Sequence, residues 1–282
     1  MKIRKLVIPV AGMGTRFLPI TKSIPKEMLP IVDIPTIQVL LDEAKNAGIE
    51  EVIFITNDKK EVILKHFEKD IELEQKLEKD QKQELLNKLR SINKDIKISS
   101  VKQIKPLGSG NALLQAKELI KDECFAVMYG DDLIKGGCAL KELIDVYNKY
   151  DCNVIGVQEV PYELTYKYGI VSLSDQSTLK INGLVEKPKE NPPSNLAGLG
   201  RYILKPEIFD VLENLEVGVN GEYQLTDAMS ILMKKQDFYA CRFKGTYYDI
   251  GSQLGYIKAN IMYALDREEL REPLLEFIKN IK

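Results

Sequence analysis

The alternation of short apolar segments with amphipathic helical patterns constrains this chain more than any other feature. Residues 5–11 form an apolar segment rich in β-branched side chains, and the helical pattern of residues 34–48 follows it. Further strands are predicted at 52–56, 96–103, 124–129 and 153–160, and further helices at 111–120 and 139–149. This alternation predicts an α/β fold, with a mostly parallel sheet and helices on both of its faces.

The second half of the chain is less regular. Strand-like segments at 169–173, 179–185 and 199–204 follow one another closely, separated by Gly, Pro, Asn and Ser. They predict either an extension of the main sheet or a small additional β layer. Because no Gly/Ser-rich linker, low-complexity tract or internal repeat divides the chain, we expect residues 1–282 to form a single domain.

A highly charged segment interrupts the alternation. Residues 58–97 contain 21 Asp, Glu, Lys or Arg residues among 40, and their apolar residues recur at helical spacing. This pattern predicts two amphipathic helices inserted between strands. Their apolar stripe is narrow, so the helices either pack on their own domain with a solvated outer face or contribute to a subunit interface.

The chain contains one histidine, His66, and this excludes several classes of enzyme. Zinc sites of the common His-ligated kind need more than one histidine, and a Ser-His-Asp or Cys-His arrangement would have to use His66. The 40 Lys and Arg residues nearly balance the 42 Asp and Glu residues, which gives a formal net charge of −2. A charge this close to zero argues against a nucleic acid as partner.

The cysteines and the N-terminal segment indicate the compartment. The four cysteines lie far apart without a C-x-x-C pair, as is typical of reduced thiols in a cytosolic protein. The first apolar run ends in Gly-Met-Gly-Thr-Arg instead of a cleavage site, and no apolar stretch approaches the roughly 20 residues of a membrane span. We therefore expect a cytoplasmic protein that has no membrane partner.

A glycine-rich loop follows the first predicted strand. Gly12-Met13-Gly14-Thr15-Arg16 offers backbone N–H groups to an anion, but it lacks the third glycine of the dinucleotide-binding fingerprint. The chain also has no G-x-x-x-x-G-K-[ST] motif of P-loop kinases. Arg16 ends the loop and Lys26 lies ten residues further on, so two cations beside a glycine turn suit the triphosphate of a nucleotide.

The stretch PVAGMGTRFLPITKSIPKEMLPIVDIPTIQ resembles the signature of bacterial UTP–glucose-1-phosphate uridylyltransferases, a group of sugar-nucleotide pyrophosphorylases. The resemblance continues through HFEKDIELEQKLEKDQKQELL and covers nearly the whole chain. It implies a Rossmann-like α/β sheet with a small sugar-binding β layer. Residues 1–150 would then be mainly nucleotide-binding and 151–250 mainly sugar-binding, with 58–97 as the charged helical insertion and 251–282 as C-terminal helices.

The resemblance also implies a nucleotide site. Its amide gives Gln103 a donor and an acceptor that match the N3–H and O4 of uracil. Gly108-Ser109-Gly110-Asn111-Ala112 departs from the G-L-G-H-A pattern usual in these enzymes at its second and fourth residues, which leaves the base preference open. The implied nucleotide-binding residues are Ala11, Gly12, Gly14, Thr15, Glu27, Gln103 and Gly108.

Acidic residues at the end of an apolar strand predict a magnesium site. Asp131 and Asp132 follow this strand, where α/β sheets bind ligands, and carboxylate oxygens suit Mg²⁺. Adjacent side chains point in different directions, so one of the two is expected to bind the metal. The resemblance favours Asp131 and implies Asp249 as a second acidic contact, while Glu222 suits the start of a helix.

The implied sugar site lies in the second half of the chain. Gly169 matches a glycine against which the sugar lies, and Glu186 and Lys187 match an E-K-P element that binds glucose hydroxyls and the sugar phosphate. Asn195 and Arg201 also match positions of the sugar site.

The implied reaction is transfer of a uridylyl group from UTP to glucose 1-phosphate. Arg16, Lys26, Asp131 and Lys187 are the predicted catalytic residues, and the chain is expected to form a homodimer or homotetramer. Two alternatives stay open: another sugar-1-phosphate nucleotidylyltransferase that uses dTTP or a different sugar, and a non-catalytic scaffold of the same fold.

Overall fold

The computed structural model describes residues 2–92, 94–218 and 221–281. Its strands are β1 (Lys5–Pro9), β2 (Pro30–Ile31), β3 (Ile34–Pro35), β4 (Glu51–Thr56), β5 (Lys97–Lys102), β6 (Phe125–Met128), β7 (Asp132–Lys135), β8 (Asn153–Glu159), β9 (Gly169–Asp175), β10 (Lys180–Glu186), β11 (Leu196–Leu204), β12 (Phe238–Arg242) and β13 (Thr246–Asp249). Its helices are α1 (Thr36–Asn46), α2 (Glu61–His66), α3 (Ile71–Lys79), α4 (Gln83–Arg90), α5 (Ser109–Leu114), α6 (Lys117–Ile120), α7 (Ala139–Tyr150), α8 (Ile208–Glu213), α9 (Leu225–Leu232), α10 (Gln253–Ala264) and α11 (Glu268–Lys279).

One large sheet organises the molecule. Nine strands follow the order β5-β4-β1-β6-β11-β8-β12-β10-β9. β5, β4, β1 and β6 pair in parallel, as do β8 and β12, whereas β11 and β10 run antiparallel to their neighbours. The predicted mostly parallel sheet is therefore confirmed. Because β9 and β10 lie at the end of this same sheet, the irregular second half extends it.

The core lies on both faces of the sheet, because side chains alternate along each strand. In β1, Leu6 and Ile8 belong to one apolar cluster with helices α1 and α7. Val7, between them, belongs to a second cluster with α5, α8 and α9. Helices thus cover both faces, as the sequence predicted. No helix in the described part of the chain is long and apolar enough to cross a membrane.

The charged insertion contains three helices, α2, α3 and α4, so the prediction of two helices was wrong. Asp70 separates the first two, since its carboxylate accepts a hydrogen bond from the Leu73 N–H (2.9 Å) and caps α3. Gln81, with φ +55°, ends the continuous pattern between α3 and α4. The predicted helix at 111–120 likewise consists of two short helices, α5 and α6.

The single histidine lies at the end of α2. His66 Nε2 donates a hydrogen bond to Gln38 Oε1 (2.9 Å), and its ring meets that of Phe67 edge to face. Burial lowers the pKa of His66, since the protonated ring is less well solvated there than in water.

The fold predicts how this histidine titrates. The contribution of neutral His66 to the free energy of unfolding is complete above about pH 6.5, the pKa expected of histidine in the unfolded chain. This contribution is lost as the pH falls through the lower pKa of the folded state. With one histidine in the chain, a single imidazole C2–H resonance in ¹H NMR reports the folded pKa, which we expect below about 6.5. His66→Gln should reduce the loss of unfolding free energy between pH 7.5 and 5. A folded pKa at or above the unfolded value contradicts the prediction.

Candidate active site

Two adjoining cavities open at one edge of the main sheet. The large cavity has a volume of about 650 Å³ and the small cavity about 310 Å³, and Ser109 and Tyr129 line both. Residues that follow β1, β5 and β6 line them, because the carboxyl ends of these strands meet at the same edge. This is where open α/β sheets bind ligands.

The small cavity collects the predicted nucleotide-binding residues that follow β1 and β5. Gly108 has φ +106°, and a Cβ atom there would lie 2.6 Å from the carbonyl oxygen of Tyr223, so this close approach requires glycine. The cavity is lined by Pro9, Ala11, Gly12, Lys26, Glu27, Gln103, Pro106, Gly108, Ser109, Ala112, Tyr129 and Glu222.

Glu27 forms a buried ion pair beside the small cavity. Its Oε2 lies 2.6 Å from Lys60 Nζ, and the two side chains are 1% and 6% exposed. Burial raises the pKa of Glu27, while the ammonium groups of Lys60 and Lys26 act in the opposite direction. The carboxylate of Glu27, one of the implied nucleotide-binding residues, is therefore already engaged by a lysine.

Positive and negative side chains meet in the region of the two cavities. Lys26 Nζ lies 2.5 Å from Asp131 Oδ2. Arg16 lies 3.9 Å from Asp131 and 3.8 Å from Asp249. Although burial favours the neutral acid, the ammonium of Lys26 and the guanidinium of Arg16 hold the pKa of Asp131 below its usual value. The glycine loop and the end of β6 are thus joined by charge.

The two adjacent aspartates have different partners. Pairing of β7 with β13 places Asp132 opposite Asp249, and the Tyr247 hydroxyl donates to Asp132 Oδ1 (2.6 Å). Burial and the neighbouring charge of Asp131 raise the pKa of Asp132 to about 7. Asp131 instead contacts the cations, in agreement with the expected divergence of the two side chains.

The carboxylates of Asp131 and Asp249 converge on one point. A Cβ atom built on Gly251 would lie 2.7 Å from Asp131 Oδ2 and 3.0 Å from Asp249 Oδ1. It would also lie 3.0 Å from Arg16 Nη2, so the guanidinium of Arg16 lies beside both carboxylates. In the described part of the chain, no group of three or more His, Cys, Asp or Glu side chains is placed to hold a metal. Mg²⁺ commonly uses one or two carboxylates together with phosphate and water oxygens, so this pair fits such an ion.

One wall of the large cavity comes from the second half of the chain. Polar side chains and the exposed backbone of a glycine form its surface. Gly169, Glu186 and Lys187 line it, and Lys187 Nζ lies 3.2 Å from Glu186 Oε1. Thr226 is 8% exposed, and within the described residues its hydroxyl has no hydrogen-bond partner. A buried hydroxyl without a partner in the wall of a cavity is suited to bind a polar ligand.

Most of the predicted site residues come together. Arg16, Asp131, Gly169, Glu186, Lys187 and Asp249 line the large cavity, and Ala11, Gly12, Lys26, Glu27, Gln103 and Gly108 line the small one. Four predicted residues line neither cavity: Gly14, Thr15, Asn195 and Arg201.

Arg201 requires a correction, because its side chain is fully buried. Its Nη2 donates to Glu43 Oε2 and to the carbonyl oxygen of Asp132, both at 2.8 Å. Its charge is therefore used inside the core, where it holds the start of β7, and no part of the side chain is exposed to a sugar. Asn195 is half-buried, and its backbone carbonyl oxygen accepts a hydrogen bond from the N–H of Val160 (3.0 Å).

Other lining residues were not predicted as ligand contacts. Tyr129, Tyr247, Gln224 and Thr226 gave no recognisable pattern, since they come from separate elements that only the folded chain brings together. Asp132 had a signal, because it adjoins Asp131 at the end of the apolar strand.

This fold and this edge of the sheet, with its glycine loop and its grouped charges, suit a nucleotide and its phosphates. The chain belongs to the nucleotidyl transferase family, whose model matches residues 5–265.

Individual relatives are similar over nearly their whole length. The UTP–glucose-1-phosphate uridylyltransferase of Staphylococcus epidermidis strain RP62A is 46% identical over 284 residues, which cover 99% of this chain and 99% of that protein. The structure of UTP-bound UGPase from Acinetobacter baumannii has a TM-score of 0.91 and 40% identity, covering 99% of this chain and 100% of that one. A UDP-glucose pyrophosphorylase complexed with UDP-glucose has a TM-score of 0.86 and 40% identity, covering 94% and 100%.

The buried position of Arg201 predicts a large effect on stability. Arg201→Met leaves Glu43 buried without its cation and should lower the free energy of unfolding by about 3–5 kcal/mol. The double variant Arg201→Met/Glu43→Gln should recover part of this loss, because it removes the unpaired charge. Urea unfolding followed by circular dichroism measures both values.

The matched control is Lys2→Met, which breaks the exposed pair with Glu50 and should cost less than about 1 kcal/mol. If Arg201→Met costs no more than Lys2→Met, the structural role given to Arg201 is wrong.

Proposed function

We propose that this chain transfers a uridylyl group from UTP to glucose 1-phosphate, forming UDP-glucose and pyrophosphate. The observation that carries the proposal is the pair of adjoining cavities, with Arg16, Lys26, Asp131 and Asp249 grouped by charge between the glycine loop and the end of β6. The names of the relatives, and the UTP and UDP-glucose bound to similar structures, support this choice of substrates.

The small cavity is the proposed site of the nucleotide base. Ala11, Gly12 and Gly108 present backbone to it, and the amide of Gln103 lies in its wall. The oxygen of this amide is an acceptor, and it matches the N3–H of uracil. The glycine loop leads from this cavity to Arg16, which lines the large one, so the triphosphate would extend along the loop.

The large cavity is the proposed site of glucose 1-phosphate. Glu186 and Thr226 offer oxygen atoms to sugar hydroxyls, and Gly169 lets the sugar approach backbone. Lys187 supplies a cation for the sugar phosphate. Its side chain is 58% exposed, so it is free to turn toward a ligand.

Asp131 and Asp249 are the proposed ligands of a Mg²⁺ ion. Such an ion, when bound, neutralises phosphate charge and orients the phosphates of both substrates. The convergence of the two carboxylates supports this assignment.

The residues of the chain act by position and charge. An oxygen of the sugar phosphate forms a bond to the α-phosphorus of UTP, and the bond between that phosphorus and the bridging oxygen of pyrophosphate breaks. The attacking oxygen is already anionic, so no side chain has to remove a proton. Lys187 orients it, and Arg16 and Lys26 stabilise the charge of the departing pyrophosphate.

The proposal extends to compartment and assembly. A cytoplasmic location is supported by free cysteines at 124, 138, 152 and 241, of which burial raises the pKa of Cys152 and Cys241 to about 12. A homodimer or homotetramer is supported by exposed apolar side chains on the C-terminal helices, such as Leu254, Ile257 and Phe277.

Pyrophosphate release from each of UTP, dTTP, CTP, ATP and GTP with glucose 1-phosphate, with and without Mg²⁺, tests the proposal. We expect turnover with UTP that requires the metal and is greatest among the five nucleotides. A preference for dTTP supports the related sugar-1-phosphate nucleotidylyltransferase instead. No turnover with any nucleotide and any of several sugar 1-phosphates supports a non-catalytic protein.

Lys187→Ala tests the proposed role of this lysine. We expect kcat/KM to fall by about 100-fold or more, because the attacking phosphate loses the cation that orients it. The matched control is Lys189→Ala, two residues further along and also exposed, which should stay close to the wild type. A Lys187→Ala value within about threefold of the wild type, a difference below roughly 1 kcal/mol, contradicts the assignment.

A further inference from the structure

The carboxamide of Gln103 is held in one orientation. Gln103 follows β5, and its N–H donates to the carbonyl oxygen of Thr56 (2.8 Å). Its side chain is 7% exposed and lines the small cavity. Side-chain Nε2 donates to Asn111 Oδ1 (2.9 Å) and to the carbonyl oxygen of Gly108 (3.3 Å).

These two contacts use both N–H groups of the Gln103 amide. The remaining atom, Oε1, has only acceptor capacity. Rotating the amide by half a turn would direct Oε1 at the carbonyl oxygen of Gly108, so two acceptors would face each other. The shorter of the two contacts comes from Asn111, a side chain in the first turn of α5.

The backbone of Asn111 is held by the elements around it. Its carbonyl oxygen accepts a hydrogen bond from Gln115 Nε2 (3.1 Å). The start of α5 is held by the Gly110 N–H, which donates to the carbonyl oxygen of Tyr223 (2.8 Å). The acceptor that faces Gln103 is therefore carried by a backbone with little freedom to move.

We propose that Asn111 is a positioning residue that turns the carboxamide oxygen of Gln103 toward the nucleotide base, and so favours bases with an N–H at ring position 3. The proposal rests on the proposed function, because it concerns the base site of that reaction. Uracil and thymine carry this N–H, whereas cytosine has an acceptor nitrogen at the same position. A fixed acceptor opposite that nitrogen leaves both groups without a hydrogen bond, which disfavours cytosine.

Position 111 allows two variants that separate the acceptor from the rest of the side chain. The side-chain oxygen of Asn111 accepts a hydrogen bond from Gln103. An aspartate at this position would also accept it, whereas an alanine would not. This difference provides a matched pair of variants.

The experiment compares the wild type with Asn111→Ala and Asn111→Asp. The rate of pyrophosphate release is measured with UTP, dTTP and CTP at saturating glucose 1-phosphate and Mg²⁺. We expect Asn111→Ala to narrow the ratio of kcat/KM for UTP over CTP by about tenfold or more, because only the longer contact with the carbonyl oxygen of Gly108 (3.3 Å) then holds the orientation of Gln103. Asn111→Asp should keep the wild-type ratio within about threefold, because it retains the acceptor.

Two internal controls separate positioning from a general structural effect. The ratio of UTP over dTTP should stay unchanged in both variants, because both bases carry the N3–H. The added charge of Asn111→Asp repels every nucleoside triphosphate alike, so it raises each KM without changing the ratios. Alanine favours helix, so Asn111→Ala should keep the thermal midpoint of the wild type.

An unchanged ratio of UTP over CTP in Asn111→Ala, or an equal fall in turnover of both nucleotides, overturns the proposal. So does a ratio that narrows equally in Asn111→Asp. If the wild type releases no pyrophosphate from UTP, the proposed function fails, and calorimetric binding of UMP and CMP then tests the inference separately. The inference is supported if the wild type binds UMP more tightly than CMP and if this difference in affinity is smaller in Asn111→Ala. It is overturned if the wild type binds neither nucleotide or binds both equally.

Discussion

Strand β11 is the constraint on which the rest of the structure depends. It runs antiparallel between β6 and β8, and its first residues also pair with β9, so it joins the two halves of the chain into one sheet. The same strand carries Arg201, which binds Glu43 of α1 and the carbonyl oxygen of Asp132 at the start of β7. Because breaking a buried ion pair exposes an uncompensated charge to the core, this contact strongly fixes the acidic edge of the sheet.

The edge that β11 holds in place is built from opposite charges. Lys26 and Arg16 come from the segment after β1, whereas Asp131 and Asp249 come from the ends of β6 and β13. Each charge therefore stabilises the position of the other, and the low pKa of Asp131 reflects this pairing. A site of this kind is preorganised for phosphate groups, because the cations are already ordered before a ligand arrives.

Much of the fold could be predicted from the sequence, because each strand and helix carries its own apolar period. The glycine loop after β1 and the aspartates after β6 could be singled out because they follow apolar strands, whereas Gln103 after β5 was indicated by the resemblance alone. The buried position of Arg201 could not be predicted. A motif shows which residue occupies a position, but it does not show whether the side chain points into a cavity or into the core. The number of helices in the insertion was also missed. The apolar spacing continues past Asp70, but the side chain of Asp70 caps α3 and so begins a new helix there. Thr226 and Tyr247 enter the site only through tertiary packing.

Ser109, where this chain departs from the usual leucine, has a consequence for how the two cavities are coupled. Its hydroxyl accepts a hydrogen bond from the N–H of Leu225 (3.0 Å) and donates one to Gln224 Oε1 (3.1 Å), so it caps α9 from the start of α5. Substituting leucine here would leave the start of α9 without this partner. The loop beside the base and the segment beside the sugar are therefore coupled through one hydroxyl, and a displacement of either one alters the other.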